Sequence, residues 1–258
     1  MTGPVSELSA PALAVVVPVH NETENLAPLI DEIRAALGGG APYEIIYVDD
    51  GSTDETLAKL LEIAGRVPEL RVLRHINCCG QSAAIHTGVR GARAPLVATL
   101  DGDGQNDPAD IPALVAKYES EGGGERLMIA GLRAKRRDTY IRRLSSRIAN
   151  RIRSGMLKDD TPDTGCGLKV FPRQAFLDFP RFDHMHRFMP ALMIRLGGRV
   201  MSVPVNHRPR ERGTSKYGVW NRLWVGIVDL FGVMWLQSRG SKPQVVEETP
   251  GAADKTGG

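Results

Sequence analysis

Leu13-Ala-Val-Val-Val-Pro-Val19-His20-Asn21-Glu22 starts as an almost unbroken aliphatic run and ends in three polar side chains. A run this short, bounded by polar residues and rich in Val, reads as a strand buried on both faces. A helix is expected over 25–37, stopped by Gly38-Gly-Gly40. The same alternation then continues. Glu44-Ile-Ile-Tyr-Val48 reads as a second strand, and Ser52-Thr-Asp-Glu55 as a capping box opening a helix to Ala64. Leu70 to Leu73 is a short strand, Gln81 to Ala92 a helix, Leu96 to Leu100 a strand, Asp110 to Glu121 a helix and Leu127-Met-Ile-Ala130 a strand. Strands alternating with helices of this length predict right-handed βαβ units: an α/β, Rossmann-like, mostly parallel sheet with helices on both faces.

In such sheets ligands sit beyond the carboxyl ends of the strands. The strands here end in Pro18-Val-His20-Asn21-Glu22, Asp49-Asp50-Gly51-Ser52 and Asp101-Gly-Asp103-Gly-Gln105, so three polar clusters converge on one edge. By itself Asp-Gly-Asp is a common turn. At a converging edge, Asp101, Asp103 and Gln105 become a ligand set for a hard divalent cation, Mg²⁺ or Mn²⁺, able to neutralise a diphosphate. Asp49 reads as a turn cap. No Gly-x-Gly-x-x-Gly and no Walker loop occurs, which excludes the usual dinucleotide and P-loop signatures.

The 258 residues are 42% hydrophobic, enough for a normal core, and carry a formal charge of only +3. That charge is uneven: residues 133–158 hold ten Lys or Arg against the single acid Asp138. Within them Ile141, Leu144, Ile148, Ile152 and Met156 recur at helical spacing, so 140–156 reads as a basic amphipathic helix suited to an anionic membrane surface, with a core helix as the alternative. Over 218–238, Trp220, Leu223, Trp224, Ile227, Leu230, Phe231 and Met234 predict a second amphipathic helix that lies on a membrane, docks on the domain or meets a second copy of the chain. Residues 1–11 and 239–258 read as disordered tails around a catalytic domain over 12–217. Neither a secretory signal nor a transmembrane run is expected, and the vicinal Cys78-Cys79 with a distant Cys166 suggest a reduced compartment. The expected location is cytoplasmic and peripheral, at the inner face of the membrane.

The motifs Val-Val-Val-Pro-Val-His-Asn-Glu, Tyr-Val-Asp-Asp-Gly-Ser-Thr-Asp, Gly80-Gln-Ser-Ala-Ala-Ile-His-Thr-Gly88 and Asp-Gly-Asp-x-Gln together resemble the inverting family-two glycosyltransferases of GT-A fold. Asp163-Thr-Gly-Cys-Gly-Leu-Lys-Val-Phe171 and Arg210-Glu-Arg-Gly213-Thr-Ser215-Lys216-Tyr217 resemble the branch that makes polyprenyl-phosphate sugars, such as dolichol-phosphate mannose synthase. The resemblance implies that Pro18, His20 and Glu22 line a nucleotide pocket, that Asp50 binds base or ribose, and that Gln81 and Asp101 contact the nucleotide-sugar, with Asp101, Asp103 and Gln105 as metal ligands. His20 stands where many relatives have an aromatic, and Gly104 where they have an apolar residue.

An acceptor phosphate is largely ionised at neutral pH and needs no general base, only cations that hold it in line. Arg133, Arg210 and Lys216, with Ser215 as a hydroxyl donor, are the candidates, while Asp163 either positions basic side chains or meets a sugar hydroxyl. The expected activity is metal-dependent transfer of a sugar from UDP- or GDP-sugar to a polyprenyl phosphate, with no role for nucleic acid. A soluble glycan or protein acceptor, and a catalytically inactive binding module that recruits a partner, are the competing readings. The absence of Gln-x-x-Arg-Trp argues against a processive synthase.

Overall fold

The computed structural model describes residues 10–133, 155, 157, 161–209 and 219–239, the side chains of 219–225 excepted. The basic stretch 140–156, Arg210, Ser215, Lys216 and both tails therefore lie outside the described residues, apart from single positions of that stretch and the ends of the tails.

The strands are β1 (Leu13–Val19), β2 (Tyr43–Asp50), β3 (Leu70–His75), β4 (Leu96–Thr99), β5 (Leu127–Arg133), β6 (Lys169–Pro172) and β7 (Arg199–Val205). They form one sheet in the order β3-β2-β1-β4-β6-β5-β7, parallel throughout except at β6, which runs antiparallel to both neighbours. The helices are α1 (Leu26–Leu37), α2 (Thr56–Ala64), α3 (Gln81–Gly91), α4 (Ile111–Ser120), α5 (Arg173–Leu177), α6 (Met189–Arg195) and α7 (Val219–Ser238).

β1 explains the aliphatic run. Leu13, Val15, Val17 and Val19 enter a core shared with Ile30 and Ile33 of α1, Leu60 of α2 and Leu114 of α4. Ala14 and Val16 enter a second core with Ala84 and Val89 of α3, Phe176 of α5 and Leu192 of α6. With helices on both faces, no position of the strand can be polar. Glu44 is a buried exception, paired with Arg71 at 2.6 Å and accepting the backbone N–H groups of Arg93 and Ala94.

One expectation changes, and one of three alternatives for the last helix is observed. Ser52 to Glu55 is not a capping box, because α2 starts at Thr56, its N-cap Glu55 makes no side-chain cap bond, and the Thr56 N–H goes to Asp54. Asn21, held at φ 56°, takes those hydroxyls instead: its N–H donates to Ser52 Oγ at 2.9 Å and its amide to Thr53 Oγ1 at 3.2 Å. The last helix docks on the domain, with Val233 buried in the second core and Arg195 Nε donating to the Leu236 carbonyl. Its outer side still shows Val228, Phe231 and Trp235 to solvent. No described helix is long and apolar enough to cross a membrane.

Candidate active site

β2, β1 and β4 are adjacent and parallel, so their last residues share one edge of the sheet. β6 runs the other way, so the loop that leads into it (161–168) arrives at that same edge. The topology thus gathers the ends of three strands and the Asp163-Thr-Gly-Cys-Gly167 motif.

The β1–β2 side is closed by the chain's own hydrogen bonds. Asp50 accepts Cys79 N–H (2.8 Å), Gly80 N–H (2.7 Å), His75 Nδ1–H (2.7 Å) and the Cys78 thiol (3.3 Å). Burial works against the charged form, but these donors outweigh it and hold the carboxyl below its ordinary range. His75 accepts from Thr87 through its other nitrogen, at 2.8 Å. Asp50, His75 and Cys79 bring possible ligand atoms within 4.8 Å of one another. The 2.7 Å contact between His75 and Asp50 is nevertheless a hydrogen bond, too short for two ligands spread around one ion at ~2.0–2.1 Å. His20 donates through Nδ1 to the Asp50 carbonyl at 2.8 Å, Pro18 is buried near the end of β1, and Glu22 accepts from Asn25. Gly51, at φ 66°, packs where any Cβ would press into the backbone of Asn77.

The β4 side is open. Asp101 forms the floor of a cleft of about 570 Å³ that is also lined by Gln81, Asp163, Lys169, His186 and Leu230. Its carboxylate accepts the Gln81 amide at 2.8 Å, and Asn106 accepts its backbone N–H. Burial first, and then the charge of Asp103, raise the Asp101 carboxyl to about 6. Asp103 accepts the Gln105 N–H at 3.2 Å and faces a smaller pocket of about 360 Å³ with Asn25, Glu32 and Arg208. The Gln105 side chain has no partner among the described residues. Arg208 pins this loop by donating its N–H to the Gln105 carbonyl and pairing with Glu32 (2.8 Å) and Asp107 (2.7 Å). Two carboxylates and an amide oxygen on one short loop, with charge already strained at Asp101, are a donor set that fits a hard divalent cation.

Arg133 ends β5 and is gripped by Asp163 through two parallel bonds, Nε–Oδ2 at 2.6 Å and Nη2–Oδ1 at 2.7 Å. Both side chains are largely buried. Asp163 therefore orients the guanidinium, and Gly165 lies directly against it. Gly167 has a comparable reason to lack a side chain, since a Cβ there would overlap the Asp101 carboxylate. Lys169, which sequence reasoning did not single out, is fully buried next to this cluster and donates to the Cys166 carbonyl. Burial lowers its pKa while Asp101 and Asp163 oppose the shift. Its trace in the sequence is its place in the Asp163–Phe171 motif. Of the expected residues, the structure unites Gln81, Asp101 and Asp163 around one cleft and Arg133 beside it. Asp103 faces a neighbouring pocket, and Arg210, Ser215 and Lys216 fall outside the described residues.

A mostly parallel α/β sheet with carboxylates at converging strand ends has the architecture of nucleotide-dependent transferases. The chain belongs to glycosyl transferase family 2, whose model matches residues 14–179. It is 36% identical over 236 residues to a dodecaprenyl-phosphate galacturonate synthase of Rhizobium johnstonii, covering 90% of this chain and 69% of that one. It is 38% identical over 209 residues to an undecaprenyl-phosphate 4-deoxy-4-formamido-L-arabinose transferase of Pectobacterium atrosepticum, covering 80% of this chain but only 62% of the relative. In fold it is similar to a mannosyltransferase of Pyrobaculum calidifontis in complex with GDP-Man and Mn²⁺, with a TM-score of 0.64 and 22% identity over 90% of this chain and 66% of that one.

Proposed function

We propose that the chain transfers a sugar, with inversion, from a nucleotide-sugar to a polyprenyl phosphate at a membrane surface. The observation that carries this reading is the Asp101 cleft, a partly enclosed carboxylate floor with an oriented guanidinium beside it and an apolar wall from α7. The relatives that carry polyprenyl-phosphate transferase names support the acceptor.

Asp101, Asp103 and Gln105 would hold Mg²⁺ or Mn²⁺, which when bound supplies charge stabilisation to the departing diphosphate. Pro18, His20, Glu22 and Asp50 line the nucleotide side, and Gln81 keeps Asp101 in place. An oxygen of the acceptor phosphate bonds to the anomeric carbon as the bond from that carbon to the diphosphate breaks, the electron pair leaving on the diphosphate oxygen. Arg133, set by Asp163, would hold the acceptor phosphate, with Arg210, Lys216 and Ser215 as further donors for it. The basic stretch 140–156 adds attraction to an anionic surface.

The test is release of UDP or GDP from a panel of nucleotide-sugars, with and without undecaprenyl phosphate, in Mg²⁺ or Mn²⁺. Release that depends on both acceptor and metal is expected. Release that ignores the lipid but responds to a soluble glycan would transfer the assignment to that acceptor.

A further inference from the structure

His186 lies in the single turn Met185–Arg187 before α6, partly buried, and lines the main cleft with Asp101, Lys169 and Arg187. One of its ring nitrogens is fixed: Nδ1 is 2.7 Å from Ser82 Oγ. The same Oγ accepts the His186 backbone N–H at 3.2 Å, so the residue is tied to α3 twice. Ser82 is buried, and its hydroxyl has no other partner among the described residues. Its hydrogen therefore goes to Nδ1, which leaves the ring proton on Nε2. Nε2 has no partner among the described residues, yet it is not one of the polar atoms sealed from solvent without one. It is a donor that opens on the cleft. Burial, followed by the charges of Arg187, Lys169 and His184, pushes the imidazole down to about 3, so the ring stays neutral and keeps that proton at physiological pH.

The neighbouring residue strengthens the case. Gln81, one position before Ser82, holds the Asp101 carboxylate. Two consecutive residues at the start of α3 thus fix a carboxylate and a neutral N–H donor on one wall of the cleft.

Resting on the glycosyl-transfer reading above, we propose that His186 is a specificity-determining residue whose Nε2–H is donated to an oxygen of the sugar being transferred. A fixed, uncharged donor suits a neutral hydroxyl or ring substituent. The anionic groups of the reaction have Lys169, Arg187 and Arg133 nearby for their charge. A donor of this kind, left unmet by the wrong epimer, discriminates by about 10- to 100-fold.

The test compares the full chain with His186→Leu, His186→Gln and Ser82→Ala. Calorimetry in Mn²⁺ measures binding of UDP and GDP alone and of UDP-glucose, UDP-galactose, UDP-galacturonic acid and GDP-mannose. Turnover is measured with the same sugars and undecaprenyl phosphate. For His186→Leu, the preference for the best sugar-nucleotide over its bare nucleotide is expected to fall about 10- to 100-fold. The kcat/KM gap between the epimers narrows, and the bare nucleotide binds as before. Gln, which keeps a donor, recovers part of the loss, and Ser82→Ala falls between. Equal weakening of bare nucleotide and nucleotide-sugar would mean a structural role and overturn the assignment. So would a raised KM for undecaprenyl phosphate with sugar preference intact. Should the Leu variant fail to fold, an unchanged preference in both the Gln and Ala variants overturns it. A wild-type chain that binds no nucleotide-sugar instead overturns the parent reading, and this one with it.

Discussion

Asp50 ends β2 and Asp101 lies two residues beyond β4, strands that flank the same central β1, yet the surroundings of the two are opposite. Asp50 receives four donors from its own chain and is held below the ordinary carboxylate range. Asp101 receives one described donor on its carboxylate, lies near Asp103, and is pushed up to about 6. One end of the edge is finished by the polypeptide, whereas the other is left short of donors. The first is therefore architecture for a pocket, and the second is a place where a ligand completes the structure.

The comparison breaks most visibly in activity. Asp101→Asn is expected to lower turnover about a thousandfold with little loss of stability, because a cation ligand disappears while an uncharged amide suits the enclosed position. Asp50→Asn is expected to show first in stability, costing about 2–3 kcal/mol in thermal or urea unfolding because an NH₂ now faces N–H donors. An Asp101→Asn chain at full rate, or an Asp50→Asn chain with unchanged melting, removes the distinction. Arg133→Ala should cost about 3 kcal/mol, since it leaves the largely buried Asp163 carboxylate without its fork. A double-mutant cycle with Asp163→Asn would show whether the two act as one unit.

The smallest effect is in pH. The Asp101 carboxyl titrates near 6 in the folded chain, above the ordinary Asp value of ~3.9. The folded chain then binds more protons than the unfolded one between about 4 and 6, so this group's contribution to stability falls as pH rises through that window. A cation replaces the proton only where the carboxyl is ionised. Mn²⁺ should therefore raise Tm more at pH 7.5 than at pH 5, and an equal rise at both would detach the ion from Asp101.

The first half of the molecule was legible because β1, β2 and β4 are buried on both faces and each crossover is a helix, so the apolar runs mark these strands directly. The second half follows other rules. β6 has four residues and pairs antiparallel, with no helix between it and the loop that feeds it, so nothing in its spacing announces a strand. Lys169 gains meaning only when its register opposite Thr99 brings it under the cleft. Arg133 and Asp163 are thirty residues apart; in sequence Asp163 has two readings, positioning a basic side chain or meeting a sugar hydroxyl, and only the fold shows the forked pair that matches the first. The Ser52–Glu55 reading failed because a tertiary competitor, Asn21, claimed the hydroxyls that a local motif would have used. His186 carries no spacing signal at all, since its partner Ser82 is 104 residues away.

α7 walls the cleft with Gly226 and Leu230 while showing Phe231 and Trp235 on the outside. A single rod thus serves both as the lining of the site and as an exposed apolar strip among the described residues. Any amphiphile used to keep the purified chain dispersed will coat that outer side and press on the element that sets the width of the cleft. For this chain the choice of detergent is a kinetic variable, to be controlled as carefully as metal or pH.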